Sequence, residues 1–398
     1  MPKPLRVCLL NEFFYPDRLT GTGNVVTDLA VRLQKQGYEV SAVCARLSYI
    51  GKEKPPRSEE WSGVKIRRVF EPNWNRKGTA LRTVGNLVFV LGVTLRLVFS
   101  RKPDAILVTT APPFLPMAAR VMRALRGVPY VYCIYDLEPD RVLGLGVMGE
   151  SSLFVRLMRG FQRKALRKAA KVMVIGRCMA DRVGRGYGIP SEQIAFVPVG
   201  ADVEGLATAQ LPASPRESFT LAYTGNLGRY HDFDSILDAA KSLHDVRFVI
   251  VGKGAQKAHV DERVASEQIS NVELKDFLDD AAYAALLSSA DACLVTMEKG
   301  LEGTCVPSKF YAYMAAGKPT IAVVDPVCEV ALEVNEQHCG VAVAQGDAGA
   351  LAAAIRRLSE DPAEVQSMAA NASRAAHEVY SRAQSAQSVA NLFRDITR

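Results

Sequence analysis

Short runs of β-branched and other apolar residues alternate with longer segments in which apolar positions recur every three or four residues, and this alternation continues along the 398-residue chain. Residues 6–10, 40–45, 105–109, 131–135 and 172–175 are apolar at nearly every position, the pattern of strands buried on both faces. Helical stretches separate them. Residues 24–36 stop at Gly37, and residues 116–126 stop at Gly127. Continuous apolar strands joined through helices predict parallel sheets built of βαβ units. The period fails over residues 200–218, rich in Ala, Pro and Ser, and strands resume at 219–223, 247–251, 272–274, 292–296 and 320–324. The expectation is an α/β protein of two Rossmann-like parallel-sheet domains facing a cleft, residues 1–205 and 206–375, followed by a helical segment over 376–398. Ligands of such sheets bind at the carboxyl ends of the strands, so the loops there hold the candidate chemistry.

Composition narrows the class without changing the fold. Hydrophobic residues at 48% and charged residues at 23% exclude a disordered chain, a collagen-like fibre and a disulfide-rich scaffold. No run of about 18 uninterrupted apolar residues occurs and the start MPKPLRVCLLNEFF carries no cleavage signature, so neither a spanning helix nor a secretory signal is expected. The eight cysteines form no C-x-x-C pair and read as buried thiols of a reducing cytoplasm. The five histidines make no metal-ligand set.

Charge divides the molecule. Residues 1–200 hold 32 Lys and Arg against 15 Asp and Glu, whereas the remainder holds 17 against 27. A basic half of this kind meets something anionic, either nucleic acid or the phosphates of a membrane. Over 153–171, Arg156, Arg159, Arg163, Lys164, Arg167, Lys168 and Lys171 fall on one side of a helical wheel, opposite Phe154, Met158, Phe161, Ala165 and Ala169. Residues 80–102 form a more apolar run, interrupted by Arg82, Asn86 and Arg96 and followed by Arg101-Lys102, suited to dipping into a headgroup layer. Core-packed helices with one solvated face account for both segments equally well. No aromatic residues interleave with the charges, which makes nucleic acid the weaker reading.

Four loops carry candidate chemistry. In NEFFYPDRLTGTGN, Gly21 and Gly23 allow close approach of backbone to a ligand. The dinucleotide fingerprint fails there because Val26 stands at the third glycine position, and no phosphate-binding G-x-x-x-x-G-K-[ST] loop occurs. In DLEPDR, Asp136, Glu138 and Asp140 supply a general base, sugar-hydroxyl acceptors or turn caps. In TGNLGRYHDFD, Gly225, Asn226, Gly228 and Arg229 form a phosphate cradle between strand and helix, and Asp232 and Asp234 read as helix caps rather than a metal clamp. In MEKGLEGTCVPSKFYAYMAAG, a loop with Glu298 and Glu302 leads to Pro307 and Ser308, which open a helix. Lys309 in its first turn opposes the helix dipole, a conflict that a bound anion relieves.

These segments resemble the family 4 glycosyltransferases of the GT-B fold over nearly the whole chain. YPDRLTGTGNVVTDLAVRLQKQGYEV is similar to that family's first glycine loop and helix, VPVGADVE to its hinge, TGNLGRYHDFDSILDAA and FVIVGKG to its donor-phosphate region, and VPSKFYAYMAAGKPTIAV to its donor-site helix. The nearest pattern is the branch that builds bacterial surface polysaccharides of the colanic-acid and O-antigen type. The resemblance implies a retaining, metal-independent transferase of hexosyl or N-acetylhexosaminyl groups that needs no cofactor. It would take a nucleoside-diphosphate sugar as donor and a glycan or polyprenyl-diphosphate-linked acceptor, as a peripheral protein at the inner face of the plasma membrane and with no nucleic-acid partner.

It also implies roles for single residues. Arg229 and Lys309 would hold the diphosphate, and Asp136 or Glu138 would act if a base is used. Gly21, Gly23, Gly225, Asn226, Glu302, Thr304, Pro307, Ser308 and Tyr311 would contact the donor. Arg156, Arg159, Arg163 and Arg167 would face the membrane or acceptor, and the last segment would return to the N-terminal domain. Two departures stand out. The family's paired glutamates fall at Thr304 and Ala312, and its histidine after the fifth strand is replaced by Tyr135 followed by Asp136. A nucleotide-sugar 2-epimerase of the same fold and a non-catalytic nucleotide-sugar-binding subunit remain the alternatives.

Overall fold

The computed structural model describes residues 3–16, 21–46, 55–72, 79–206 and 218–398. Two compact units are formed: Met1–Asp140, Gly149–Pro198 and Arg382–Arg398 make unit 1, and Arg141–Met148 with Val199–Ser381 make unit 2.

Unit 1 carries an eight-stranded sheet in the order β3-β4-β2-β1-β5-β6-β7-β8. Its strands are β1 (Arg6–Leu10), β2 (Glu39–Ala45), β3 (Ser58–Trp61), β4 (Val64–Val69), β5 (Ala105–Val108), β6 (Tyr130–Ile134), β7 (Lys171–Val174) and β8 (Ile194–Phe196). All neighbours are parallel except β3 and β4, an edge hairpin whose turn residues Ser62 and Gly63 both have positive φ. The interior strands β5 and β6 are fully buried, as their unbroken apolar sequences require. The helices α1 (Gly21–Lys35), α2 (Thr79–Val98), α3 (Pro116–Arg126) and α5 (Leu153–Lys168) belong to this unit, whereas α4 (Asp140–Gly144) belongs to unit 2 from Arg141 onward. The carboxy-terminal helix Arg382–Thr397 packs on α1, where the Tyr38 hydroxyl donates to the Ala390 carbonyl at 3.0 Å and its ring meets Phe393.

Unit 2 is a six-stranded parallel sheet in the order β11-β10-β9-β12-β13-β14. The strands are β9 (Phe219–Thr224), β10 (Val246–Val251), β11 (Val272–Lys275), β12 (Ala292–Thr296), β13 (Thr320–Val323) and β14 (Gly340–Val343). Leu221, Tyr223, Phe248, Ile250, Leu294 and Ile321 anchor its core.

The structure corrects several sequence expectations. Besides the excursion of Arg141–Met148 into unit 2, the chain passes between units at Pro198–Val199, earlier than the expected boundary at 205, and at Ser381–Arg382, later than the one expected at 375; Ala201 bridges Ser381 and the Ser385 hydroxyl donates to the Pro198 carbonyl at these crossings. Residues 207–217 of the expected linker lie outside the described residues. Helix α1 begins at Gly21 rather than near Asn24, so Gly21 and Gly23 sit in its first turn; residues 17–20 of the preceding loop also lie outside the description. Among the described residues one helix is long and apolar enough to cross a membrane, over Leu81–Val98 within α2, although no uninterrupted apolar run marks it. About a third of that window is buried, the helix packing against β4 and α3, and Leu81, Val84, Leu87, Leu91 and Leu95 are exposed.

Candidate donor site

In unit 2 the chain leaves β9 in one direction toward β10 and β11, and β12 starts the other half of the sheet on β9's opposite side. The loops after β9 and β12 therefore emerge together at the carboxyl edge, at the topological switch point where open parallel sheets bind ligands. The loop after β9 is held by the loop after β10: the Gly225 N–H donates to the Val251 carbonyl and the Leu227 N–H to the Lys253 carbonyl, both at 2.9 Å. These two donors are spent on the fold, so of the expected cradle residues Gly225 does not offer its N–H to a ligand.

Lys309 begins the helix Lys309–Ala315 that follows β12. Its ammonium donates to the Tyr223 hydroxyl and lies 3.7 Å from the centre of that ring. The same hydroxyl donates to the Asn226 carbonyl at 2.8 Å. A relay from Lys309 through Tyr223 to Asn226 thus joins the two loops. A Cβ on Gly225 would touch the Lys309 ammonium at 3.5 Å, so lysine and loop backbone adjoin. Burial pushes the Lys309 ammonium down to about 7.

His231 lies close by, its ring against Tyr223, Tyr230 and Phe233. Burial first, and the charge of Lys309 second, push it down to about 3, so the imidazole is neutral. Its Nδ1 is 2.7 Å from the Thr296 carbonyl, which can only accept, so Nδ1 carries the proton. Asp232 accepts from the Ser235 N–H at 3.0 Å and the Gly346 N–H at 3.2 Å, and Asp234 pairs with Arg263 and His259. Asp232 thus accepts from a helix-start N–H, as the capping reading expects, whereas Asp234 caps nothing and is held in ion pairs with Arg263 and His259. Among the described residues no group of three His, Cys, Asp or Glu side chains gathers as metal ligands.

One cation arrives from a distant part of the sequence. Arg141 on α4 belongs to unit 2, with its guanidinium 5.5 Å from the centre of the Tyr230 ring. The same segment packs so closely that a Cβ on Gly144 would stand 2.4 Å from the Gly300 carbonyl oxygen in the loop after β12. Helical spacing alone gives no sign of this, because Arg141 follows the β6 loop of the other unit in sequence.

The matched families now decide the identity: residues 20–200 match the glycosyl transferase 4-like domain, and residues 209–375 match the glycosyl transferases group 1. The chain belongs to the family 4 glycosyltransferases of the GT-B fold. WcaI of Escherichia coli K12, named as a colanic acid biosynthesis glycosyl transferase, is 26% identical over 352 residues, 83% of this chain and 86% of that one. Sucrose-phosphate synthase from Thermosynechococcus elongatus shares the fold with a TM-score of 0.78 at 17% identity, over 98% of this chain and 99% of that one. HepE from Anabaena, solved with UDP-glucose, gives a TM-score of 0.71 at 15% identity, over 98% and 100% of the two chains.

The structure sorts the remaining site expectations of the transferase. Lys309, Gly225 and Asn226 come together. Arg229 does not join them: it is exposed and makes no hydrogen bond or ion pair among the described residues. Pro307 is half-buried and Ser308 exposed just ahead of Lys309, while Glu302 is half-buried in the loop after β12. Thr304 is buried with its hydroxyl donating to the Leu301 carbonyl at 2.7 Å, a turn-forming bond rather than a donor contact. Tyr311 is likewise buried, its hydroxyl donating to Glu333 at 3.1 Å, because the helix turns Phe310, Tyr311, Tyr313 and Met314 into the unit. Tyr311→Phe should therefore lower stability by about 1–3 kcal/mol in a denaturant titration while leaving nucleotide affinity unchanged.

In unit 1 the switch point lies between β1 and β5. Glu12 after β1 and Glu71 after β4 are buried carboxyls that sequence reading missed. Burial pushes Glu12 up to about 7, and burial together with Glu12 pushes Glu71 up to about 8. Asp136 is half-buried with its N–H 3.3 Å from the Thr110 hydroxyl, and Glu138 is buried. Asp140 is taken out of the candidate acids: it is buried, pairs with Arg182 at 3.2 Å and accepts from the Tyr187 hydroxyl. Gly21 and Gly23 open α1, and Gly23 is buried. Arg156, Arg163 and Arg167 are exposed on α5, whereas Arg159 bridges Glu150 at 3.2 Å.

Proposed function

We propose that the enzyme is a retaining, metal-independent glycosyltransferase that moves a hexosyl or N-acetylhexosaminyl group from a nucleoside-diphosphate sugar to a lipid-linked glycan, in surface polysaccharide synthesis at the cytoplasmic face of the membrane. The observation that carries the donor half is Lys309, a half-buried lysine at the switch point of unit 2 whose hydroxyl partner Tyr223 is tied to the loop after β9. Breaking the anomeric bond leaves negative charge on the nucleoside diphosphate, and a fixed cation in a water-poor site is worth on the order of 3 kcal/mol there. Lys309 meets that charge, with Arg141 and Arg229 as the further cations of the edge. His231, held neutral, adds no competing charge. The leaving phosphate oxygen takes the acceptor proton as the new glycosidic bond forms, and no cofactor is used. Asp136 and Glu138, in the loop after β6, orient the acceptor. The names of WcaI and HepE support the substrate classes, a bacterial polysaccharide and a nucleotide sugar.

A thermal-shift screen of nucleoside diphosphates and nucleotide sugars tests this reading. Ligand at 100 times its dissociation constant adds about 2.7 kcal/mol, an easily measured shift. The expected result is stabilisation by one nucleotide class, lost in Lys309→Ala and reduced in Arg229→Ala; no shift with any nucleotide would point instead to a non-catalytic subunit. The shift should also depend on pH. Below pH 7 the ammonium is already present, whereas above it binding must also protonate Lys309, so the dissociation constant should rise about tenfold per pH unit above 7. Calorimetric titration in buffers of different ionisation enthalpy should show net proton uptake at pH 8 and little at pH 6.

A further inference from the structure

A half-open cavity of about 380 Å³ lies in unit 1 at the amino ends of β1, β2 and β4, with the end of α2 forming one wall. This is the opposite edge of the sheet from the loops that bear Glu12, Glu71 and Asp136, so it is separate from the candidate acceptor loops. Its lining is cationic. Arg6 is already paired with Asp104 at 2.8 Å and Lys65 with Glu39 at 2.9 Å. That leaves Arg67, Arg96, Arg101 and Lys102 converging on the cavity with no ion pair among the described residues.

The cavity continues into an apolar surface. On α2, Leu81, Val84, Leu87, Leu91 and Leu95 are between 44% and 59% exposed, and Phe99 just beyond it is 84% exposed while also lining the cavity. Their spacing places them on one stripe, opposite Phe89, Val93 and Leu97, which are buried. A stripe of this size is costly to leave in water. Helix α2 packs on α3 and α3 on α5, so the stripe shares its layer of helices with the exposed Arg156, Arg163, Lys164, Arg167 and Lys168.

We propose that this cavity holds the phosphodiester headgroup of an anionic phospholipid while the outward stripe of α2 lies among the acyl chains of the bilayer surface. The proposal deepens the membrane-facing reading of unit 1 given above and rests on it. Charge selects the occupant. A second copy of the chain would bring the same cations against the same stripe, whereas an anionic bilayer neutralises them as it covers the apolar face. The α5 cations attract the surface at a distance, and the concave site, within the size range of small-ligand pockets, fixes one headgroup.

The test is co-sedimentation of the full chain with vesicles of phosphatidylglycerol in phosphatidylcholine, against phosphatidylcholine alone. Three triple variants are compared: Arg96→Gln, Arg101→Gln, Lys102→Gln at the cavity; Leu91→Ser, Leu95→Ser, Phe99→Ser on the stripe; and Arg163→Gln, Arg167→Gln, Lys168→Gln on α5. All nine positions except Lys102 and Arg101 lie on helices or at their ends, and unchanged nucleotide-induced thermal shifts verify that each variant is folded. The cavity variant should bind phosphatidylglycerol vesicles about 100-fold more weakly, and the stripe variant should lose binding at high salt. Dihexanoyl phosphatidylglycerol below its micelle concentration should raise the melting temperature of the native chain and the α5 variant but not of the cavity variant. Native binding by the cavity and stripe variants, with loss only in the α5 variant, would overturn the headgroup site and leave the membrane reading standing. Failure of the native chain to bind any anionic vesicle would overturn both, with the donor shifts unaffected. A stripe variant that turns a dimer into a monomer without losing vesicle binding would assign the stripe to a second copy and also overturn the proposal.

Discussion

Replacing Lys309 by alanine is expected to lower sugar transfer about 100-fold or more, measured as turnover of the nucleotide sugar that gives the largest thermal shift. The magnitude follows from where the lysine stands. The half-buried side chain rests its ammonium on the Tyr223 hydroxyl and ring, and desolvation alone brings it down to about 7. The free protein thus holds a cation that the site itself disfavours, and negative charge developing on the leaving diphosphate restores what burial removed. The ammonium gains more from the additional negative charge that the leaving diphosphate acquires in the transition state than from the diphosphate of the intact donor, so the loss should appear in kcat as well as in KM. Rates near native in Lys309→Ala would remove Lys309 from the chemistry, and the donor reading would then have to rest on Arg141 and Arg229. Tyr223→Phe is the natural companion variant, because it keeps the ring and the charge while releasing the ammonium from its hydroxyl.

The strands that carry the fold were legible because they are buried on both faces. Residues 105–109 and 292–296 can be nothing but interior strands of a parallel sheet, and β5 and β12 fall there. The β3–β4 hairpin was not read, since an edge hairpin alternates exposed and buried positions and its signal is the Ser62-Gly63 turn rather than an apolar run. Lys309 was legible from an electrostatic conflict, a cation at a helix start. Tyr223 was not, because on a strand it looks like any core aromatic; only the topology that sets β9 beside β12 gives its hydroxyl a role. Arg141 was hidden for the same reason, its partner ring being Tyr230 in the other half of the chain. Tyr311 was misplaced in the opposite sense: the family resemblance implied a donor contact, but two residues of helix rotate its side chain about 200° from that of Lys309 and into the unit.

Gly252→Ala should destabilise unit 2 by several kcal/mol although it adds one methyl group. Gly252 follows β10 with φ near +147°, a conformation that L side chains rarely adopt, and its Cβ would stand 1.8 Å from the Gly225 carbonyl oxygen and 2.8 Å from Leu227 Cδ1. The oxygen cannot step aside freely, because the same loop is pinned by the Gly225 N–H on Val251 and the Leu227 N–H on Lys253. Backbone strain of about 1–3 kcal/mol therefore adds to an overpacking cost of similar size. Since about 1 kcal/mol moves the melting temperature of a domain this size by roughly 2–4 °C, the unit 2 transition should fall by about 10 °C in calorimetry. Gly346→Ala separates strain from clash. Gly346 also has a positive φ, near +80°, but nothing lies within 4 Å of its Cβ position, so that variant should lose only the strain, about 1–3 kcal/mol. Equal losses in the two variants would mean that the contact between the loops after β9 and β10 yields easily, and the relay from Lys309 to Asn226 would then lack the rigid support it is assigned here. A larger loss in Gly252→Ala, accompanied by a weaker nucleotide shift, would show that the same backbone contact that stabilises unit 2 also holds the loop beside Lys309 in place for the donor.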